Sequence, residues 1–307
     1  MLRSLLTAMF LGLFPVSGST VTDSIALSHL TVAPPARTLT VDGRLSASGV
    51  YVLDAETGQR LFARDARVQR PMASLTKLMT ALLIVENHDM SETVTIPKIA
   101  EETAGSRVYL SAGKRYTVGS LLSALLINSA NDAAVTLAVY HSGSLSAFDA
   151  AMNKRALELG LRETSFTNPI GLDGPAHWST PQDIAWLTNF VLGKEEISKR
   201  MGMGGARIAS TDGTETLRLY HTHNLLHVHP LSPESPVVIG GKTGTTSEAG
   251  ECLVSVVREA GKKFVVVLLD SHQRYKDMDM ILSSIQSAYG IPSVAEEANV
   301  EPPLAAK

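Results

Sequence analysis

Near both ends of this chain, hydrophobic residues fall in short runs separated by polar, glycine-containing turns. Val, Ile, Leu and Tyr dominate the runs, which is the pattern of β-strands. The runs that predict strands are residues 48–53, 60–63, 206–210, 214–221, 237–242, 252–257 and 263–269. The last two flank a turn at residues 259–261, so together they predict a β-hairpin.

In the middle of the chain, apolar positions recur instead at intervals of three and four residues, which predicts helices. Leu75, Leu78 and Leu82 show this spacing just after Pro71. Gly160 and Thr180 are typical C-terminal and N-terminal cap residues. The predicted helices begin after residue 71 and cover residues 117–128, 132–140, 147–159, the segment after residue 180 and, near the end, residues 277–289.

The order of these elements predicts the fold class. Two strands come first, helices follow, and several strands and a helix come last, which is an α+β order rather than an alternating βαβ order. We therefore expect an antiparallel sheet built from both ends of the chain and flanked by helices. An inserted, mostly helical subdomain occupies about residues 90–200 of a single domain over residues 47–290.

The two ends of the chain do not resemble folded structure. Arg3, a short apolar run and the small residues 16–19 predict a cleaved secretory signal over residues 1–19, although an N-terminal membrane anchor is the alternative. Residues 20–46 are rich in Ser, Thr, Ala and Pro and predict a flexible lead-in, and residues 291–307 predict a flexible tail. Signal cleavage would leave no integral membrane segment and a periplasmic protein.

Composition excludes some classes of function. The 307 residues carry a formal net charge of −3 and no basic tract, which argues against nucleic-acid binding. Cys252 is the one cysteine, so an internal disulfide is impossible. It lies in an apolar run, where a buried hydrophobic role is more common than a catalytic thiol.

The string Ser74-Leu75-Thr76-Lys77 could supply a nucleophile and its base. Residues three apart on a helix share a face, so the Ser74 hydroxyl would lie beside the Lys77 amine. A serine hydroxyl needs a base, and a lysine serves as one only if its pKa is lowered. Partial burial or a second cation, for which Lys242 is the candidate, would lower it. Alone, the string would indicate no more than a capped helix with an exposed lysine.

A second string, Ser129-Ala130-Asn131, falls in a predicted break between two helices, where side chains can point into a cleft. Ser129 could relay a proton between Lys77 and a leaving nitrogen. The amide of Asn131 both donates and accepts, which suits contact with a peptide bond. Without its neighbours this string would be an ordinary loop.

The third string, Lys242-Thr243-Gly244-Thr245, is predicted at the end of a strand. Lys242 and the hydroxyls of Thr243 and Thr245 suit a substrate carboxylate, and Gly244 leaves space for a substrate backbone. An exposed strand edge there could pair with an extended peptide. The backbone N–H groups of Ser74 and Thr245 are the candidate oxyanion hole.

Taken together, the three strings resemble the motif set of penicillin-binding proteins and serine β-lactamases. The chain is identified as similar to low-molecular-mass penicillin-binding proteins of the D-alanyl-D-alanine carboxypeptidase and endopeptidase family. The stretches that carry the resemblance are residues 71–80, 168–173, 179–183, 223–226 and 241–250.

This resemblance implies the fold of serine β-lactamases, no cofactor or metal, a periplasmic location, peptidoglycan stem peptides as substrates and acylation of Ser74 by β-lactam antibiotics. It implies a serine-type DD-peptidase with Ser74, Lys77, Ser129, Asn131 and Lys242 as catalytic residues. Thr243, Gly244 and Thr245 would contact substrate. The short form resembles endopeptidases and the Ser-Ala-Asn string resembles carboxypeptidases, so the bond cleaved stays open.

Two other functions remain open from the sequence. A serine β-lactamase would need a group that activates water, and Glu163 is the nearest candidate, in surroundings that do not fit. A non-catalytic murein-binding scaffold would not need three intact motifs. The four histidines at positions 221, 223, 227 and 229 suggest a metal site, but no acidic or cysteine ligands accompany them, so we expect none.

Overall fold

The computed structural model describes residues 38–41, 44–226 and 235–290. Its strands are β1 Gly49–Asp54, β2 Arg60–Arg64, β3 Thr93–Thr95, β4 Arg115–Thr117, β5 Gly205–Ala209, β6 Thr216–Tyr220, β7 Val237–Thr246, β8 Gly250–Glu259 and β9 Lys262–Ser271. Its helices are α1 Lys77–Asn87, α2 Lys98–Glu101, α3 Val118–Ile127, α4 Asn131–Ser142, α5 Leu145–Glu158, α6 Pro181–Leu192, α7 Glu195–Met201 and α8 Arg274–Tyr289, with a 3-10 turn at Ala73–Thr76.

The main sheet joins both ends of the described chain. Five antiparallel strands lie in the order β2-β1-β9-β8-β7, so β1 pairs with β9 across more than two hundred residues of sequence. Gly49 faces Leu269, and Asp54 faces Phe264. This arrangement confirms the expected α+β fold and leaves β7, which carries the third motif, at an edge of the sheet.

Both faces of the sheet are buried, which explains the near-continuous hydrophobic runs of β8 and β9. Alternate residues point to opposite sides. Val265 and Val267 belong to the large core that includes α1, α3, α4 and α6, whereas Val266 and Leu268 pack with α8. The sheet is therefore the middle layer, with the helical block on one face and α8 on the other.

Polar caps begin several helices as the sequence indicates. The Thr117, Ser144 and Thr180 side chains accept a hydrogen bond from the backbone N–H three residues on, at the start of α3, α5 and α6. Gly160 follows the end of α5 with φ of +76°, the left-handed conformation expected of it.

Some elements differ from the expectation. Ser74 lies in a 3-10 turn that precedes α1, not in the first turn of the α-helix. The strands β5 and β6 form a separate two-stranded sheet, as do β3 and β4, which the hydrophobic pattern did not predict. The strand predicted at 237–242 continues to Thr246, so the third motif lies inside β7.

Part of the predicted lead-in packs on the domain. Leu39 and Leu45 are buried, and the Ser46 hydroxyl donates to Asp277 over 2.7 Å. The predicted signal, the rest of the lead-in and the predicted tail lie outside the described residues. Within residues 38–41, 44–226 and 235–290, no helix has the length and hydrophobicity needed to cross a bilayer.

Candidate active site

The first motif places its two chemical groups in contact. Lys77 Nζ lies 2.9 Å from Ser74 Oγ, as the spacing of three residues predicts. Lys77 is completely buried, while Ser74 is partly accessible. Ala73, just before the serine, has φ of +48°, a conformation that costs a non-glycine residue about 1–2 kcal/mol. The strain indicates that surrounding contacts hold the serine turn in place.

Two carbonyl oxygens complete the surroundings of the Lys77 amine. Nζ donates to Asn131 Oδ1 over 2.8 Å and to the backbone oxygen of Ile170 over 2.8 Å. Burial lowers the pKa of Lys77 well below its ordinary value, and the nearby Lys242 cation lowers it further, against the opposing charge of Asp132. Burial is the larger of these two causes, and Lys242 is the second cation that the sequence suggested.

Ser129 joins the site through Lys242. Its φ of +59° turns the chain between α3 and α4, and its hydroxyl accepts from Lys242 Nζ over 2.7 Å. Lys242 is fully buried, and burial together with the Arg274 guanidinium lowers its pKa to about 7. In the described chain the hydrogen bond of Ser129 thus leads to Lys242, whereas the sequence suggested a relay with Lys77.

Asn131 holds two parts of the site together. Its Oδ1 accepts from Lys77, and its Nδ2 donates to the backbone oxygen of Ala104 over 2.7 Å. A backbone bond from Asn131 N to Ser106 O, 2.7 Å long, fixes the same loop. Asn131 therefore positions Lys77 in addition to the substrate contact that the sequence suggested for it.

A loop over residues 168–173 supplies a group that sequence reasoning missed. The side-chain oxygen of Asn168 accepts the N–H groups of Ile170, Gly171 and Leu172, which turns the backbone so that Ile170 O faces Lys77. Asp173 ties the loop to the end of β7 through the Thr246 hydroxyl, at 2.5 Å. Because the contact is made by a backbone atom, no residue type in the sequence identifies it.

Gly244 brings the edge strand against the serine turn. A Cβ at this position would lie 2.8 Å from Ser74 N and 2.9 Å from the Ala73 Cβ, too close for any side chain. The strand β7 thus passes directly beside the N–H of Ser74. Thr245, the other residue of the predicted oxyanion pair, follows Gly244 on the same edge strand.

Around Gly244, the neighbouring residues of β7 contribute hydroxyls, and α8 contributes a cation. The hydroxyls of Thr243 and Thr222 are 2.5 Å apart, and Thr245 is exposed. Arg274, at the start of α8, donates from Nη1 to Thr245 Oγ1 over 2.9 Å and to Gly244 O over 3.0 Å. Sequence reasoning missed Arg274, because only tertiary packing brings the start of α8 to β7.

His177 supports the serine turn from behind. The Thr76 hydroxyl donates to Ala73 O over 2.8 Å, so the 2.8 Å contact between Thr76 Oγ1 and His177 Nε2 must use an N–H of the imidazole. Nδ1 accepts from Thr167 N over 3.0 Å, and burial lowers the pKa of His177 to about 4. A neutral histidine therefore joins the serine turn to the neighbouring loop, a role for which the sequence held no signal.

Three residues that the sequence singled out have structural roles. His223 is buried, with Nε2 2.8 Å from Ser255 Oγ, while His227 and His229 lie outside the described residues. Burial raises the pKa of the Cys252 thiol to about 12. Glu163 forms an ion pair with the exposed Arg67.

Comparisons with known proteins identify the family of this chain. The family model described as D-alanyl-D-alanine carboxypeptidase, peptidase S11, matches residues 35–273. The chain belongs to this family. A D-alanyl-D-alanine carboxypeptidase of Bacillus subtilis is 34% identical over 255 residues, which cover 80% of this chain and 64% of that protein, so the chain spans less than two thirds of that relative.

Other proteins similar to this chain are named for different activities. A D-alanyl-D-alanine endopeptidase of Pseudomonas aeruginosa is 29% identical over 255 residues, covering 82% of this chain and 80% of that protein. The crystal structure of the Streptomyces K15 DD-transpeptidase superposes with a TM-score of 0.73 at 26% identity, covering 80% of this chain and 98% of that one. This likeness confirms the predicted fold.

Proposed function

We propose that this protein is a serine-type DD-peptidase that cleaves D-alanyl bonds in peptidoglycan stem peptides through a Ser74 acyl-enzyme, and that β-lactam antibiotics acylate the same serine. The observation that carries the proposal is the set of partners around Lys77. Two of its three contacts, Asn131 Oδ1 and Ile170 O, can only accept hydrogen bonds. When Lys77 is neutral, its lone pair therefore has one proton donor to face, the Ser74 hydroxyl.

The acylation step follows from that arrangement. Neutral Lys77 takes the proton of Ser74, and Oγ attacks the carbonyl carbon of the D-alanyl bond. The oxyanion is placed between the N–H groups of Ser74 and Thr245, in line with the packing of Gly244 against the serine turn. The substrate carboxylate lies against Thr243, Thr245 and the cations Lys242 and Arg274.

Departure of the amine and release of the product use the second lysine. Ser129 donates its proton to the leaving amine and regains one from Lys242, whose pKa of about 7 suits transfer near neutral pH. In deacylation, water attacks the ester and gives a proton to Lys242 through Ser129. Lys77 returns its proton to Ser74 Oγ, so both lysines regain their starting states.

The rival hypotheses have less support. The side chain of Glu163, the candidate water-activating group of a β-lactamase, pairs with Arg67 at the surface. At Lys77 the loop presents a backbone oxygen, that of Ile170, and no carboxylate. Within the described residues, no carboxylate hydrogen-bonds to Ser74, Lys77, Ser129 or Lys242. A binding scaffold would not need a completely buried lysine beside a serine, since burying a charge is costly.

The proposal extends to the location of the enzyme and its domain limits. An export signal over residues 1–19 directs it to the periplasm. Residues 47–290 form the catalytic domain, against which Leu39 and Leu45 of the lead-in pack. It uses no cofactor or metal, and it binds no nucleic acid.

A digest of purified murein fragments, analysed by mass spectrometry, tests the function. Loss of a terminal D-Ala from pentapeptides indicates a carboxypeptidase, and conversion of cross-linked dimers to monomers indicates an endopeptidase. Ser74→Ala should abolish both reactions and the mass increase on incubation with penicillin. Rapid, repeated hydrolysis of penicillin would support the β-lactamase instead, and intact fragments with unlabelled Ser74 would support the scaffold.

A further inference from the structure

Residues 104–110, here called the rim loop, border the site next to Asn131. Asn131 holds the loop through its amide, bound to Ala104 O, and its backbone N–H, bound to Ser106 O. A Cβ on Gly105 would lie 2.7 Å from Asn131 Nδ2, so the loop packs directly on this side chain. The rim loop is therefore in contact with a residue that itself contacts Lys77.

Asp132 fixes the far end of the rim loop. Its carboxylate accepts the N–H of Val108 over 3.2 Å and that of Leu110 over 3.0 Å, and Leu110 is buried. The residue between these two amides, Tyr109, is 75% exposed and has φ of +62°. A bulky residue in this conformation is strained, and such strain is concentrated at ligand-binding sites.

Arg107 adds a cation to this exposed ring. Its guanidinium carbon lies 5.0 Å from the centre of the Tyr109 ring, and Nη1 donates to the backbone oxygen of Glu101 over 3.0 Å. The Glu101 carboxylate is itself occupied by Lys98 and Ala112 N. Within the described part of the chain, no carboxylate lies within ion-pair distance of Arg107. The rim loop thus presents an oriented cation beside an aromatic face.

The contacts of the site give the direction in which a substrate would meet the rim loop. Gly244 packs on Ser74, Ser74 contacts Lys77, Lys77 contacts Asn131, and Asn131 contacts the loop. The proposed function puts the C-terminal carboxylate at the Gly244 end. The part of the peptide that precedes the cleaved bond then extends towards Asn131 and the rim loop.

We propose that Arg107 and Tyr109 form a specificity subsite for an acyl-donor side chain that is aliphatic and ends in a carboxylate. The aliphatic stem lies on the Tyr109 ring, and the carboxylate pairs with the Arg107 guanidinium, which Glu101 O holds through Nη1. This inference rests on the proposed function, because it needs a peptide bound at Ser74.

Two peptides that differ in one group test the subsite. Both are N-acetyl-X-D-Ala-D-Ala, where X is L-2-aminopimelate or its side-chain amide, and release of D-Ala gives kcat/KM. We expect the wild type to favour the carboxylate by about fivefold at low salt, the range of a partly exposed ion pair. High salt should reduce this preference.

Arg107→Gln should lower the ratio to about one and leave kcat/KM for the amide peptide unchanged. Arg115→Gln, which removes an exposed arginine from β4, is the matched control and should keep the wild-type ratio. Tyr109→Phe should also keep the ratio, whereas Tyr109→Ala should lower kcat/KM for both peptides.

The subsite would be refuted if the wild type had the same kcat/KM for both peptides, or if Arg107→Gln kept the fivefold ratio. In either case, cleavage of the amide peptide and penicillin labelling of Ser74 would still support the proposed function. The wild-type ratio does not depend on how any variant folds. Absence of both cleavage and labelling would refute the proposed function, and the subsite with it.

Discussion

Gly171 offers a direct test of whether the loop at 168–173 positions the nucleophile. A Cβ on Gly171 would lie 2.0 Å from Ala73 O and 2.8 Å from Ser74 N, and the residue has φ of +88°. Gly171→Ala therefore cannot be accommodated unless the loop or the serine turn moves. Gly113 is the matched control, because it has φ of +82° and no heavy atom within 4 Å of a Cβ.

Both substitutions strain the backbone, but only Gly171→Ala also creates a steric clash. Alanine in the left-handed conformation costs about 1–2 kcal/mol at either position. At Gly171 the added carbon is roughly 1.5 Å inside van der Waals contact with Ala73 O. Either the serine turn or the loop must therefore shift by about 1 Å, which displaces Ser74 or the Ile170 oxygen that binds Lys77. A misplacement of that size in a catalytic group lowers the rate by about 100-fold. We expect acylation of Gly171→Ala to be about 100-fold slower, and Gly113→Ala to lose only stability.

Acylation is measured with a fluorescent penicillin under single-turnover conditions, and the free energy of unfolding is measured by urea denaturation. Gly113→Ala should react at the wild-type rate and be about 1–2 kcal/mol less stable. Gly171→Ala should react about 100-fold more slowly under conditions in which it is fully folded. If it reacts within threefold of Gly113→Ala, the loop does not position Ser74 and this reasoning is wrong.

Three further results are expected. Arg274→Gln should raise KM for carboxylate-bearing substrates. Arg274 helps to lower the pKa of Lys242 to about 7, so its loss should raise that pKa and move the alkaline limb of the kcat/KM profile to higher pH. An alkaline limb at the wild-type pH would contradict this link. His177 and His223 have folded pKa values of about 4 and about 3, below the 6.5 of the unfolded chain. As pH falls below 6.5, the unfolded state therefore binds more protons than the folded state. Each of the two histidines should lower the free energy of unfolding by about 2 kcal/mol between pH 7 and pH 5. Urea denaturation of His177→Gln, which does not titrate, should show a smaller loss over that interval than the wild type. Cys252, buried and with a pKa of about 12, should not react with a thiol reagent until the protein unfolds, and rapid labelling of the native protein would show that β8 opens.

The sequence predicts the catalytic side chains whose residue type the chemistry requires. It does not predict groups, such as a backbone oxygen, that act only through their position in the fold. Ser74, Lys77 and Lys242 were predicted because their chemistry requires those residue types. The structure places the Ser74 and Lys77 side chains in contact and brings Lys242 to Ser129. Ile170 contributes a backbone oxygen, which any residue could supply.

The fold shows the same division. Hydrophobic runs located β1, β8 and β9, because buried strands need continuous apolar residues. The short strands β3 and β4 were missed, since three residues each give too little pattern to recognise. At Ser74 the sequence predicts α-helix where the structure has a 3-10 turn, because the buried Leu75 continues the helical spacing of α1.

The pairing of β1 with β9 sets an order of events during synthesis. Ser74 and Lys77 are made early, but β1 obtains its second partner only when residue 271 has been added. Closing a loop of that length is slow, and β7, which completes the cleft, is also made late. A growing or truncated chain therefore carries the serine and lysine without the rest of the cleft. Under the proposed function, acylation by penicillin would then report that the whole domain has folded.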